Sequence, residues 1–244
     1  VTVTDWKEGT AIPGGEASLV TEESVRESVA KQLENGNDVE LTLPSNASLG
    51  LFDAIKNALK DKGVPESSVN ITLKGVMRIP QKAFGNLPEG VAPWFKVVRL
   101  PDATIIDDDA FQGSTLTEIY APKVEEINYR AFYRCNQLKI VDMRKASRIK
   151  YSAFQECSLL ERVRFGALSS AGQLYDDGTG GIFDLCQTDG INLTLSSRQS
   201  MMELRTTEAT YEWVPAGESY WDTEDYARTR FLGYKFNKII CADD

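Results

Sequence analysis

The 244-residue chain contains no histidine. Without imidazole there is no Ser-His-Asp or Cys-His nucleophile pair, no histidine-ligated zinc and no histidine charge switch near neutral pH. Catalysis would fall to carboxylates, lysine or tyrosine. Cysteine is scarce: Cys135, Cys157, Cys186 and Cys241 never stand in C-x-x-C spacing, which removes zinc-knuckle and thioredoxin-like motifs. No apolar run approaches the roughly 18 residues of a membrane span, and the opening VTVTDWKEGT has neither the charged start nor the apolar stretch of a secretory leader. Basic charge is also in deficit. A net charge of -9 argues against nonspecific nucleic-acid or anionic-lipid partners, both of which need a basic surface. With 42% hydrophobic and 26% charged residues, the chain has the composition of a folded soluble protein rather than a disordered one.

What the sequence does contain is a repeat. The segments QKAF, DDDAF, YRAF and YSAF align Phe84, Phe111, Phe132 and Phe154, and GGIF adds Phe183. Alanine precedes the first four phenylalanines, and isoleucine stands five residues before each, as Ile79, Ile106, Ile127 and Ile149. Eight before come Val76, Ala103, Val124 and Ala146; eleven before, Leu73, Leu100, Ala121 and Met143; thirteen before, Ile71, Val98, Ile119 and Val141. Three after the Phe, Cys135, Cys157 and Cys186 share one phase, and Cys241 falls outside it. A unit of about 21 to 23 residues cannot bury its own apolar face, but stacked units join those faces into one core. Apolar residues two apart, such as Ile119 and Ala121, have the period of a short strand. The isoleucine is then expected to open a turn or short helix that carries the Phe inward, leaving Asn128, Arg130, Lys150 and Ser152 in solvent.

The units LTEIYAPKVEEINYRAFYRCNQ and LKIVDMRKASRIKYSAFQECSL resemble the BspA-like leucine-rich repeat, roughly LxxIxIPxxxxxIxxxAFxxCxx. Leu116, Leu138 and Leu160 fill the opening Leu. The resemblance covers about residues 69–196 and implies an α/β leucine-rich-repeat solenoid with a parallel sheet on one face. In the fifth unit Gly178 stands at the isoleucine position before Phe183, so Leu168 to Gly181 reads as an insertion loop; INLTLSS supplies a last strand with Leu193 and Leu195 inward.

An exposed terminal repeat would leave its core open, so the flanks should act as caps. Residues 1–66 read as an N-terminal α/β cap region, 67–196 as five to six repeats, and 197–244 as a C-terminal cap. In the first, TEESVRESVAKQLENG reads as a helix N-capped by Thr21, DVELTL as a strand, and SLGLFDAIKNALKDKG as a second helix with Leu51, Phe52, Ile55 and Leu59 on one face. In the last, the aromatic-rich YWDTEDYARTRFLGYKFNKIICADD ends in the strand-like KFNKII.

Two clusters of acids invite a metal-site reading. Asp107, Asp108 and Asp109 instead suit the start of the Ala-Phe turn, because calcium loops need alternating oxygen ligands and a distant glutamate. Asp176 and Asp177 fit a flexible acidic loop, and GTGG lacks the Lys-Ser/Thr of a phosphate loop. The cysteines in one column point the same way into the core and should be free, buried thiols. Inverting the strand pattern leaves two outward columns: Asn70, Val97, Glu118, Ile140, Arg162 and Asn192, and Thr72, Arg99, Tyr120, Asp142, Arg164 and Thr194. Arg99, Tyr120, Asp142, Arg144, Arg162 and Arg164 are the candidate partner-binding residues, since Arg and Tyr are favoured at interface hot spots. The plainer alternative is a solvated face with Arg164 and Arg162 paired to Asp142 and Glu118.

The expectation is a non-catalytic recognition protein with no cofactor and no metal, and with an unidentified protein or glycan partner, host-derived ligands among the candidates. Exported bacterial surface location and an adhesion role are what the resemblance implies; a leader would lie outside this chain. The alternative is a passive structural module of a larger envelope assembly, with an enzyme third.

Overall fold

Every repeat adds one strand to a large sheet, and those strands pair in parallel because successive units enter the stack from the same side. The computed structural model describes residues 19–85, 94–168, 170–171, 181–196, 230–231 and 234–242. The elements run α1 (Glu22–Gln32), β1 (Asp38–Thr42), α2 (Leu49–Asp61), β2 (Val69–Lys74), β3 (Arg78–Ile79), β4 (Phe95–Arg99), β5 (Ile105–Ile106), β6 (Glu118–Tyr120) and β7 (Glu126–Ile127). They continue with β8 (Ile140–Met143), β9 (Arg148–Ile149), β10 (Arg162–Phe165), β11 (Ser170–Ala171), β12 (Asn192–Ser196), β13 (Arg230–Phe231), β14 (Tyr234–Lys235) and β15 (Lys238–Ala242). An eight-stranded parallel sheet takes the order β1-β2-β4-β6-β8-β10-β12-β15.

The expected inward residues are all buried in it: Ile71 and Leu73, Val98 and Leu100, Ile119 and Ala121, Val141 and Met143, Val163 and Phe165, Leu193 and Leu195. Beneath them the phenylalanines form a continuous spine. Phe111 and Phe132 stack at 5.2 Å and 5°, Phe132 and Phe154 at 5.0 Å and 2°, and Phe154 and Phe183 at 5.7 Å and 17°. Phe52 of α2 meets Phe84 edge-on at 5.3 Å, and Phe236 meets Phe183 edge-on at 5.7 Å.

The turn expected after each isoleucine is present and carries the Phe inward, but the isoleucine itself belongs to a strand. The residues of this column lie on two-residue strands that make a second parallel sheet, in the order β11-β9-β7-β5-β3. The reason lies in backbone accounting: a buried return limb must satisfy its N–H and C=O groups, and pairing with the next repeat does so without side chains. The ladder continues through the turn, where Phe84, Phe111 and Phe132 donate their N–H groups to the carbonyls of Ala110, Ala131 and Ala153 at 2.7 to 2.8 Å. This close lateral packing also corrects the solvent assignment. Asn128 and Ser152 are buried and Arg130 is half-buried; only Lys150 is exposed.

Two positions flanking the Phe adopt a left-handed backbone, and apart from Gly113 the residues there are not glycine. Two residues before the Phe stand Lys82, Asp109, Arg130 and Ser152, with φ of 60, 56, 53 and 56°. Two after stand Gly113, Arg134, Glu156 and Leu185, with φ of 70, 60, 62 and 60°. The pair reverses the chain twice within five residues, and this carries the intervening Ala-Phe into the core.

The fifth unit is corrected as well. Counting from the strand, the isoleucine column always lies six residues past the second inward residue, and Phe165 plus that interval reaches Ala171. Ala171 indeed pairs with Ile149, and Leu168 is buried at the place of Val124 and Ala146. The extra residues therefore follow Ala171 instead of beginning at Leu168; residues 172–180 lie outside the described set, with Gly178, Asp176 and Asp177 among them.

At the start of the chain, Thr21 caps α1 in a reciprocal box with Ser24, and Gly63 (φ 61°) follows α2. β1 registers on β2 from Asp38 opposite Asn70 to Thr42 opposite Lys74. At the other end β15 pairs with β12, which sets Cys241 opposite Leu195. Residues 1–18 and 197–229, with most of the expected C-terminal cap, lie outside the described residues.

Candidate functional site: the outer face of the eight-stranded sheet

In a parallel sheet the backbone groups bond within the plane, so the outward side chains alone define what the face can do. The register sets Asn70, Val97, Glu118, Ile140, Arg162 and Asn192 side by side, and Lys238 extends that row. The second row holds Thr72, Arg99, Tyr120, Asp142, Arg164 and Thr194. Both columns read from the sequence are therefore single rows in the fold.

Charge separates along the stack. Near β1 a hollow is bordered by Asp38, Glu40, Asn70 and Arg99. Glu40 pairs with Lys74, and Asn70 donates to Asp38 at 2.7 Å. Near β15 a second hollow of about 450 Å³ is lined from β6 to β15 by Tyr120, Ile140, Arg162, Arg164, Asn192 and Lys238. Asp142 also lines it, held by the Arg144 guanidinium through Nε (3.2 Å) and Nη2 (2.6 Å). Arg144 thus sits just past β8 and outside both rows.

Tyr120 is half-buried. Its hydroxyl donates to Glu118 at 2.7 Å, and the Arg99 guanidinium lies 5.7 Å from the ring centre. The Glu118 hydrogen bond, and then burial, hold the phenol above its ordinary pKa, so it remains a donor. Glu118 is therefore turned toward Tyr120, and the register separates it from Arg162 by the whole of β8, where Ile140 stands between them. The expected Arg162–Glu118 pairing does not form. Among the described residues neither Arg162 nor Lys238 has an ion-pair partner, and both are exposed.

Lys238 was not legible as a site residue. KFNKII has strand character, but 46 positions separate Lys238 from Asn192 along the chain, and only the fold brings β15 beside β12. The acidic run Asp107 to Asp109 is structural. Asp107 accepts a fork from Arg78 at 2.6 and 2.7 Å and a bond from Asn128, and Asp108 accepts the Tyr129 N–H. Among the described residues no group of acids and cysteines could hold a metal ion.

The cysteine column has its own logic. The thiols of Cys135, Cys157 and Cys186 donate to the carbonyls of Phe111, Phe132 and Phe154 in the preceding unit, at 3.0, 3.1 and 3.0 Å. They are free, and Cys186 is only partly buried. Each supplies a small side chain with a donor where a buried carbonyl faces it.

Stacked turns that each add one strand to a continuous parallel sheet, with apolar columns inward, define a leucine-rich-repeat solenoid. Residues 78–174 match the family model for a BspA type leucine rich repeat region, in six copies, and that stretch of the chain is such a region. The repeat geometry extends past it on both sides, to β2 and to Phe183 and β12. No curated protein and no solved structure matches the chain.

Proposed function

We propose that this protein is a non-catalytic recognition module that engages its partner through the outer face of the large sheet. The observation that carries this reading is the hollow at the β10–β15 end. Cations of an acidic chain gather there around Tyr120 and Ile140, outside any role in the core. Repeat proteins of this family are generally binding scaffolds, and BspA-type members are typically bacterial surface proteins. An exported, adhesion-like role toward a protein or glycan ligand follows from that. No helix among the described residues is long and apolar enough to cross a membrane. In the same reading α1, β1 and α2 cap one end of the stack and the chain around Phe236 caps the other, because their rings meet the terminal phenylalanines of the spine.

The test is a binding comparison with Arg162→Glu combined with Arg164→Glu. A ligand enriched by the wild-type protein from host matrix or cell-surface extracts is purified, and its affinity for both proteins is measured. Loss of a hot spot costs about 2 kcal/mol or more, some thirtyfold in affinity. Undiminished binding by a double variant that melts at the wild-type temperature would move the contact off this face.

A further inference from the structure

We infer that the hollow at the β10–β15 end of the sheet binds a carboxylate-bearing oligosaccharide, a chain of uronic acids. This rests on the reading that the outer face is the contact, and it specifies the chemistry of the ligand.

Four observations support it. First, the cations have different origins: Arg162 and Arg164 come from β10 and Lys238 from β15, with Asn192 and Thr194 of β12 between them. The charge on this face therefore spans three strands, two inter-strand spacings of about 4.8 Å each, as suits a polymer that carries repeated single negative charges. Second, Arg162 and Lys238 are exposed and, among the described residues, without a carboxylate partner. Asp142, the acid in the lining of the hollow, is held by Arg144. An arginine fork matches a planar carboxylate with two hydrogen bonds.

Third, the floor is mixed. On one side of β10 Ile140 and the half-buried Tyr120 offer apolar surface, and on the other stand the Asn192 amide, whose oxygen accepts from Asn237, and the Thr194 hydroxyl. A pyranose has the same two sides, C–H on its face and hydroxyl at its rim. The volume of the hollow, about 450 Å³, lies inside the range of about 300 to 1,000 Å³ found for small-molecule sites. Fourth, the sheet's amides and carbonyls are spent on neighbouring strands, as the unbroken β8–β10–β12–β15 pairing shows. An extended acidic peptide laid on this face would find no main-chain ladder, whereas it would find one at a sheet edge. A glycan has no such requirement.

The experiment is calorimetry on the full chain with tetramers of galacturonate, of guluronate and of hyaluronan as probes. The methyl ester of the galacturonate tetramer supplies the uncharged counterpart, and hexaglutamate supplies the peptide. At least one acidic tetramer should bind with a submillimolar Kd, and more weakly as salt rises toward about 0.15 M. Arg162→Glu with Lys238→Glu should weaken it at least about tenfold at an unchanged melting temperature. Arg162→Gln alone should weaken it by less, and Lys60→Glu on α2 should leave it as it was. Binding of the ester as tight as that of the acid would overturn the inference, as would equal loss in Lys60→Glu or silence of all three acidic tetramers at millimolar concentration. Hexaglutamate bound more tightly than any tetramer, and released by the same variant, would replace the glycan with a peptide while leaving the face as the contact. If the Arg162/Arg164 comparison also shows no loss, the face itself is excluded.

Discussion

Replacing Phe132 with alanine tests the spine at its middle. The ring is fully buried and lies between two near-parallel neighbours, Phe111 at 5.2 Å and Phe154 at 5.0 Å. Removing it forfeits roughly 2 kcal/mol of transfer free energy, and a residual cavity of about 80 Å³ at some 24 cal/mol per Å³ adds about 2 more. Collapse into the gap is restricted, because the backbone of the turn is tied on both sides, by Phe132 N–H to Ala153 and by Phe111 N–H to Ala131. The expected loss is therefore about 4 kcal/mol, within the 3 to 5 typical of buried Phe→Ala changes. Tyr133, the next residue, is half-buried; its hydroxyl bonds to Glu156 at 2.9 Å, and Arg130 and Arg134 lie over its ring. Tyr133→Ala should cost about 1 to 2 kcal/mol. Urea unfolding followed by far-ultraviolet circular dichroism measures both. Since a domain has only about 5 to 15 kcal/mol in total, Phe132→Leu, at about 1.5 kcal/mol or less, provides a variant that stays folded. Equal losses at Phe132 and Tyr133 would refute the inward assignment of the phenylalanine column.

Lys82 is exposed with φ of 60°, so Lys82→Gly should be neutral or slightly stabilising, while Lys82→Val should cost about 1 to 2 kcal/mol. A thermal melt separates the two, and equal tolerance of valine would show that the turn is not left-handed. Burial pushes the Cys157 and Cys186 thiols up, so both should resist alkylation in the native protein until denaturant is added, with the partly buried Cys186 reacting before Cys157. A mass-spectrometric time course that found Cys157 labelled first, or linked to Cys135, would contradict the thiol-to-carbonyl ladder. The Arg134 guanidinium, with help from the Tyr133 hydroxyl, holds Glu156 below the ordinary carboxylate range. Its contribution is thus present above the unfolded pKa of about 4.3 and is lost as the pH falls through the lower folded value. Glu156→Gln should accordingly flatten that part of the acid-unfolding curve, and identical acid midpoints for variant and wild type would remove Glu156 from the account.

The sequence by itself determined the repeat, its core columns and the two outward rows. Each of these follows from side-chain chemistry recurring at a fixed interval, and an interval is a local quantity. Phe132 could be assigned to the core because phenylalanine recurs at its place in every unit, and Tyr120 and Arg164 to the outer face because a strand alternates its sides residue by residue. What the tertiary structure decided depends on contacts between units. The isoleucine segments became a second sheet because the neighbouring return limb supplied their hydrogen-bond partners, and the same proximity buried Asn128 and Ser152. Ala171 took the fifth isoleucine place because β11 pairs with β9, where counting back from Phe183 had pointed to Gly178. Lysine, aspartate, arginine and serine adopt the left-handed turn before the Phe with no glycine to mark it, held there by the packed Ala-Phe on one side and the inter-repeat ladder on the other. The composition of the candidate site divides the same way. Arg162 and Arg164 were readable from their own strand, but the direction in which Glu118 turns, the capture of Asp142 by Arg144 and the arrival of Lys238 are set by side chains and strands meeting across the fold, and no spacing along the chain encodes them.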